Sequence, residues 1–236
     1  MSTLGELLRE MPFPVKAEPY SSEAWVRARA EAQPHVVAPP VVSARDEQIR
    51  ALVEQLFFQH ETVQVRNACF APIDASSRAA ATCFDVANAL AGEGKYDVGL
   101  IDARIDGPLL QQELQLDVPS HARGSCVVSP HLWLVPRQSW RREPDRPLVT
   151  DRDLERLRDF MTEFDFSILC GAPASWLTAR IAQNCDGLVL MLTANKTRRL
   201  VAAQIKELLG KARIPILGTV LAERRLPVPQ GLYRKL

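Results

Sequence analysis

Three short segments carry residue types that could do chemistry on a phosphate or at a metal. IDARIDGP, residues 101–108, offers Asp102, Arg104 and Asp106. APIDASSRAAAT, residues 71–82, offers Asp74, Ser76, Ser77 and Arg78 where a helix is expected to begin. FSILC, residues 166–170, ends on the thiol of Cys170. Strand-end carboxylates hold divalent cations through oxygen. Hydroxyls, cations and the free N–H groups of a helix start hold phosphate. Each segment lacks part of that equipment. No glycine and no lysine lies between Arg66 and Ala91, so no loop there can wrap backbone around a phosphate. Arg104 puts a cation between the two acids of its segment. No Asp or Glu occurs from Phe166 to Cys185, so nothing in that stretch positions a metal-bound water. Gly92-Glu93-Gly94-Lys95 has the letters of a phosphate cradle, but it leads from an expected helix into an expected strand. That is the reverse of a cradle, and it reads as a helix stop.

Covalent catalysis finds little support. There is no G-x-S-x-G, and His35, His60, His121 and His131 lie outside the serine-rich loop in sequence. Ser76 and Ser77 read as helix caps rather than nucleophiles. Cys170 reads as buried and inert, with no neighbouring cation in sequence to lower its pKa. The run RQSWRREPDR, residues 137–146, combines cations with Trp140. It reads either as a solvated loop or as a contact for an anionic partner or polymer.

The positioning elements emerge from the pattern of the whole chain. Its 236 residues are 47% hydrophobic and 24% charged, a globular composition. Twenty-nine Lys and Arg against 28 Asp and Glu leave a net charge of +1, which speaks against general nucleic-acid binding. Five scattered cysteines without metal-ligand spacing read as small buried residues in a reducing compartment. The longest apolar stretch, around 187–194, is far short of a membrane span, and the N-terminus lacks the pattern of a secretory signal. These features predict a cytoplasmic protein that reaches a membrane only through a partner. Residues 1–42, rich in proline, read as an arm and linker, with a docking role as their functional reading. From Ser43, an expected cap, an amphipathic helix carries Ile49, Leu52, Val53, Leu56 and Phe57. Strands are expected at 63–70, 97–101, 132–135, 166–170, 187–192 and 214–221. Helices are expected at 76–91, 151–163, 174–184 and 197–211. Apolar strands alternating with helices predict an α/β domain over residues 43–236, with a doubly wound, mostly parallel sheet covered on both faces.

The order of these segments resembles the stand-alone bacterial tyrosine autokinases of capsule and exopolysaccharide synthesis (CpsD/CapB type), relatives of the MinD/ParA ATPases. DEQIRALVEQLFF is similar to the family's opening Glu-x-x-Arg-x-x-Arg helix at Glu47 and Arg50, with Val53 in place of the second arginine. IDARIDGP resembles its "ID-x-D-x-R-x-P", FDFSILCGAP its "fD-x-iiiD-t-P-P", CDGLVLMLTANKTRR its "aD-g-vvlV" and "K-T-R", and ILGTVLA its "iLG-x-VLN". The resemblance implies a P-loop-NTPase-like fold, with a vestigial nucleotide pocket at Ser76, Ser77, Arg78, Asp102, Arg104, Cys170 and Ala222 where no cofactor is expected to bind. Ala222 stands where the family has its adenine-reading Asn, and Tyr20, Tyr96 and Tyr233 are too few for the family's tyrosine cluster.

With these losses taken together, the expectation is a non-catalytic relative with no cofactor and no metal. It would act by protein contact in making or exporting a cell-surface polysaccharide, through a membrane chain-length or export component. The alternative is a divergent but active ATPase or kinase of the same family. Glu47 and Arg50 are the expected interface residues of a homo-oligomer. Arg104 is expected to pair with Asp102, Asp106 or Asp74.

Overall fold

The computed structural model describes residues 43–59, 64–74, 78–105, 107–118, 124–143 and 148–223. The expected arm at 1–42 lies outside these residues, as do Ser76, Ser77 and Asp106.

Helix α1, Ala44–Val53, starts where expected. Ser43 Oγ accepts from the Asp46 N–H at 3.2 Å, and Asp46 Oδ2 accepts from the Ser43 N–H at 2.9 Å. This capping box satisfies two donors the helix start would otherwise leave open. The helix ends in a π-helical turn, Glu54–Phe58, which aims Leu56 and Phe57 into the core. Strand β1, Asn67–Pro72, leads through a loop to α2, Ala79–Ala91. Alanine lets α2 lie close on the sheet, and its buried face (Ala79, Ala80, Cys83, Val86, Ala87, Leu90) follows helical spacing. Gly92 caps α2, and Gly94 turns the chain at φ +66° before β2. The Gly-Glu-Gly-Lys segment is therefore a helix stop, as its order predicted.

Strand β2, Val98–Ala103, precedes the single-turn helix α3, Leu110–Glu113. A hairpin of β3, Cys126–Ser129, and β4, Leu132–Val135, runs straight into the short helix α4, Arg137–Trp140. Then come α5, Asp151–Thr162; β5, Phe166–Gly171; α6, Trp176–Ala182; β6, Gly187–Thr193; α7, Arg199–Lys211; and β7, Ile216–Ala222. The seven strands lie in the order β3-β4-β2-β5-β1-β6-β7, all parallel except β3. This is the doubly wound α/β fold expected. Several boundaries differ: β1 begins at Asn67 rather than near 63, and α2 at Ala79 rather than 76. The N-cap position of α2 is Arg78, with no side-chain cap bond; Ser76 and Ser77, the expected caps, lie outside the described residues.

Strands β2 and β5 are buried at every position, as sheet interiors covered on both faces must be. The β5 entry is held by aromatic packing. Phe166 meets Phe57 at 5.4 Å, Phe58 at 5.8 Å and Tyr96 at 5.0 Å between ring centroids, each nearly edge-on. The π-helical turn of α1 is thus fastened to the sheet through one ring.

Removing that ring opens a cavity at the meeting point of three elements. Phe166→Ala is expected to cost about 3–5 kcal/mol, the range for buried aromatics cut to alanine, read as a lower midpoint in urea denaturation. A second expectation concerns pH. Burial of Asp153 pushes its pKa up, but bonds from the Arg142 N–H, the Thr150 N–H and the Thr150 hydroxyl outweigh it and hold the carboxyl below its ordinary value. A depressed folded pKa stabilises the fold above the unfolded value of about 3.9 and loses that contribution as pH falls through the folded value. Asp153→Ala should therefore melt below the wild type at neutral pH, with the gap closing in acid.

Candidate functional site

In a doubly wound sheet, ligands sit beyond the carboxyl ends of the strands. Register places Asp102 of β2 beside Cys170 of β5, and Cys170 beside Phe70 of β1. Asp102 has no exposure to solvent. Its carboxylate accepts from the Arg104 N–H at 3.2 Å, from Arg104 Nε at 3.0 Å and from the Leu110 N–H at 3.0 Å. The Arg104 side chain is 12% exposed and reaches on to the Glu113 carboxylate. Burial works against the guanidinium charge, but Asp102 and Glu113 outweigh it and hold Arg104 firmly protonated. The expected Asp102–Arg104 pair forms. Glu113 joins it from α3, nine residues downstream, where sequence gave no sign of a partner.

A second arginine completes this corner. Arg137, at the start of α4, lies 3.9 Å from Asp102 and donates to the Gly107 carbonyl at 3.0 Å. Trp140 Nε1 donates to the Asp102 carbonyl at 2.9 Å. Arg141 donates to the Ile105 carbonyl at 3.4 Å and to the Leu148 carbonyl at 3.3 Å. Arg137, Trp140 and Arg141 are all buried. The cationic run at 137–146 is therefore neither a solvated loop nor a contact surface in its first half. It braces the loop after β2, because β4 ends beside β2 and delivers α4 there. A Trp and two Arg spaced one helical turn apart were the signal in the sequence.

The thiols lie under this corner. Cys170 and Cys83 are both wholly buried and in contact, and burial, then Cys170, raises the Cys83 pKa well above that of a free thiol. Burial pushes Cys69 up to about 12. Cys69 and Cys83 are thus inert thiols by environment, while Cys170 shares its corner with the charge of Arg104. Asp74, just past β1, accepts from Thr197 Oγ1 at 2.6 Å and Thr193 Oγ1 at 3.2 Å, tying β1 to the turn after β6.

Of the remaining expected pocket residues, the two described ones sit elsewhere. Ala222 ends β7, three strands from β5, and pairs with Thr193 of β6. With Arg78, Arg45, Ile49, Leu52 and Leu221 it lines an open groove of about 630 Å³ between α1, the start of α2 and β7. The structure thus joins Asp102, Arg104 and Cys170 at one corner, and Arg78 and Ala222 at another. Glu47 and Arg50 are exposed on α1.

The resemblance implies a magnesium-nucleotide at the strand ends, and the described residues at that corner do not offer the free oxygen ligands its magnesium would need. The oxygens of Asp102 are engaged by N–H donors, a protonated guanidinium lies against them, and the neighbouring β5 position is a buried thiol rather than an acid. A divalent cation needs free oxygen ligands there. Among the described residues, no group of three or more His, Cys, Asp or Glu could hold a metal ion.

No protein-family model matches the chain, and no curated protein matches it. Solved structures do. The kinase domain of VpsO superposes with a TM-score of 0.64 at 16% identity, covering 77% of this chain and 97% of that one. The kinase domain of the Escherichia coli tyrosine kinase ETK gives 0.61 at 16%, covering 89% and 91%. A ParA family ATPase from Chlorobium tepidum gives 0.55 at 18%, covering 72% and 78%. At such identities the likeness is one of fold. The chain has the P-loop-NTPase-like architecture that these tyrosine kinase domains and this ATPase share.

Cutting Arg104 leaves Asp102 buried with its main charge partner gone. Breaking one side of a buried pair costs about 3–5 kcal/mol. Arg104→Ala should fall at the low end, because the Leu110 N–H still serves Asp102. Chemical denaturation reads it, and an unchanged midpoint would show that the pair carries no such weight.

Proposed function

We propose that this chain is a non-catalytic relative of the bacterial polysaccharide-type tyrosine kinases, a scaffold used for contact rather than phosphoryl transfer. The observation that carries the reading is the guanidinium of Arg104 bound to Asp102 where a metal would be held. It is supported by the residues of the loop after β1, which contain no glycine or lysine, and by Cys170 at the end of β5. The fold shared with tyrosine kinase domains supplies the family side of the proposal.

Such a protein works by what its surface binds. The proposed partner is a membrane chain-length or export component of a polysaccharide system, in whose assembly or export this chain assists. No helix among the described residues is long and apolar enough to cross a membrane, so any membrane role is assigned to that partner. Self-association through the exposed Glu47 and Arg50 on α1 belongs to the same proposal.

Isothermal titration with magnesium-ATP tests the central claim, and no heat is expected. A micromolar dissociation constant would favour the alternative, a divergent but active ATPase or kinase. Ligand at about 100 times such a constant would also raise stability by about 2.7 kcal/mol.

A further inference from the structure

The two edges of the sheet are finished differently. β3 has four residues, runs antiparallel, and breaks register with β4 between Val127 and Ser129. Short length and a bulge keep an edge from pairing with another chain. β7, at the opposite edge, has seven residues with no charge and no proline, and none of them is buried. Among the described residues its outer side has no partner strand. Which groups stand there follows from the pairing with β6. The Ala194 N–H donates to the Ala222 carbonyl at 2.9 Å. Backbone groups alternate sides along a strand. Val220 and Ala222 therefore point toward β6, and Thr219 and Leu221 present their N–H and C=O groups to the edge. Leu221 is 51% exposed, and Thr219, on the same face of the sheet, is exposed too. Glu223 then turns the chain at φ +58°. A left-handed residue just past a strand belongs to the loops that reverse it into a hairpin.

We infer that the outer edge of β7 is the docking site of this chain's own segment 226–230, which returns antiparallel beside it. The place of the segment and its prolines argue for that occupant. Only residues 223–225 separate it from β7. So short a connection allows an antiparallel return and no parallel one, which needs about a dozen residues or more. It also keeps the entropy of closure low. Proline has no N–H, so within a sheet it stands on an edge strand with its nitrogen turned to solvent. Pro227 and Pro229 are two positions apart, so a single orientation turns both nitrogens outward. That orientation aims the N–H groups of Leu226, Val228 and Gln230 at the groups that Thr219 and Leu221 present. Residues opposed across an antiparallel ladder share a face of the sheet. Leu226 and Val228 then lie beside the exposed Leu221 and Thr219, apolar against mostly apolar. The outer side of the added strand carries two prolines, and such an edge resists a further strand. The segment closes the sheet where β7 by itself would leave it open. The inference does not depend on whether nucleotide binds.

Amide hydrogen exchange of the full chain, read residue by residue, tests the assignment. In the wild type the Thr219 and Leu221 N–H groups should exchange at least about tenfold more slowly than unpaired amides, the scale of one backbone hydrogen bond. Dilution should leave those rates unchanged. Val228→Pro removes an inward N–H and should release both amides. Pro227→Val and Pro229→Val restore N–H groups only on the outward side and should leave the protection in place. Val220 and Ala222, bonded toward β6, should stay protected in every variant, which shows that each has folded. Free exchange at Thr219 and Leu221 in the wild type would overturn the assignment. So would protection that survives Val228→Pro, which would point to another occupant such as residues 1–42, and protection lost on dilution, which would point to a second copy.

Discussion

A carboxylate with no access to water cannot be left unpartnered at the end of a central strand. Asp102 imposes that requirement, and the segments around it are arranged to meet it. The loop after β2 doubles back so that the Arg104 side chain and the Leu110 N–H reach its oxygens. α3 brings Glu113 to the far side of the guanidinium. α4 brings Arg137 alongside and uses Trp140 to fix the backbone of Asp102 itself. The loop, α3 and the more distant α4 therefore share one electrostatic problem. A buried ion pair adds little net stability over a well-packed apolar replacement, because both charges lose their water. What it adds here is position: as arranged, Asp102 and Arg104 each have a partner.

Much of the fold was legible in the sequence because each central strand is an uninterrupted apolar run bounded by polar turns. DVGLI, FSILC and GLVLML announced β2, β5 and β6, and Ser43 announced α1. β3 was missed because CVVS is four residues long and half-exposed, with neither alternation nor length to mark it. Its antiparallel hairpin is made by His131 in the left-handed region, at φ 62°, which no glycine signalled. The start of α2 was placed three residues early because serines are good caps by type, whereas the helix begins on an arginine position without a side-chain cap.

At the candidate site the sequence was informative about single substitutions and blind to their partners. A cation at the second acid position of IDARIDGP suggested a local pair with Asp102, and proximity along the chain made that reading possible. Glu113 and Arg137 could not be found the same way. The first depends on a one-turn helix after an irregular loop. The second depends on β4 lying beside β2, a fact of strand order rather than of spacing. The run around Trp140 shows the same limit from the other direction. Its arginines suggested a surface by type, and the topology buried two of them as braces.

An internal cation at a strand-end carboxylate also changes what the scaffold can respond to. Where a nucleotide and metal neutralise such a site, the stability and shape of the surrounding loops follow ligand concentration by mass action. Where an arginine of the same chain does so, the neutralising charge is always present and its local concentration is fixed by covalent connection. The carboxylate of Asp102 then has its counter-charge without any ligand. On the proposed reading, what a ligand supplies to such a site from solution is supplied here by Arg104 from within the chain.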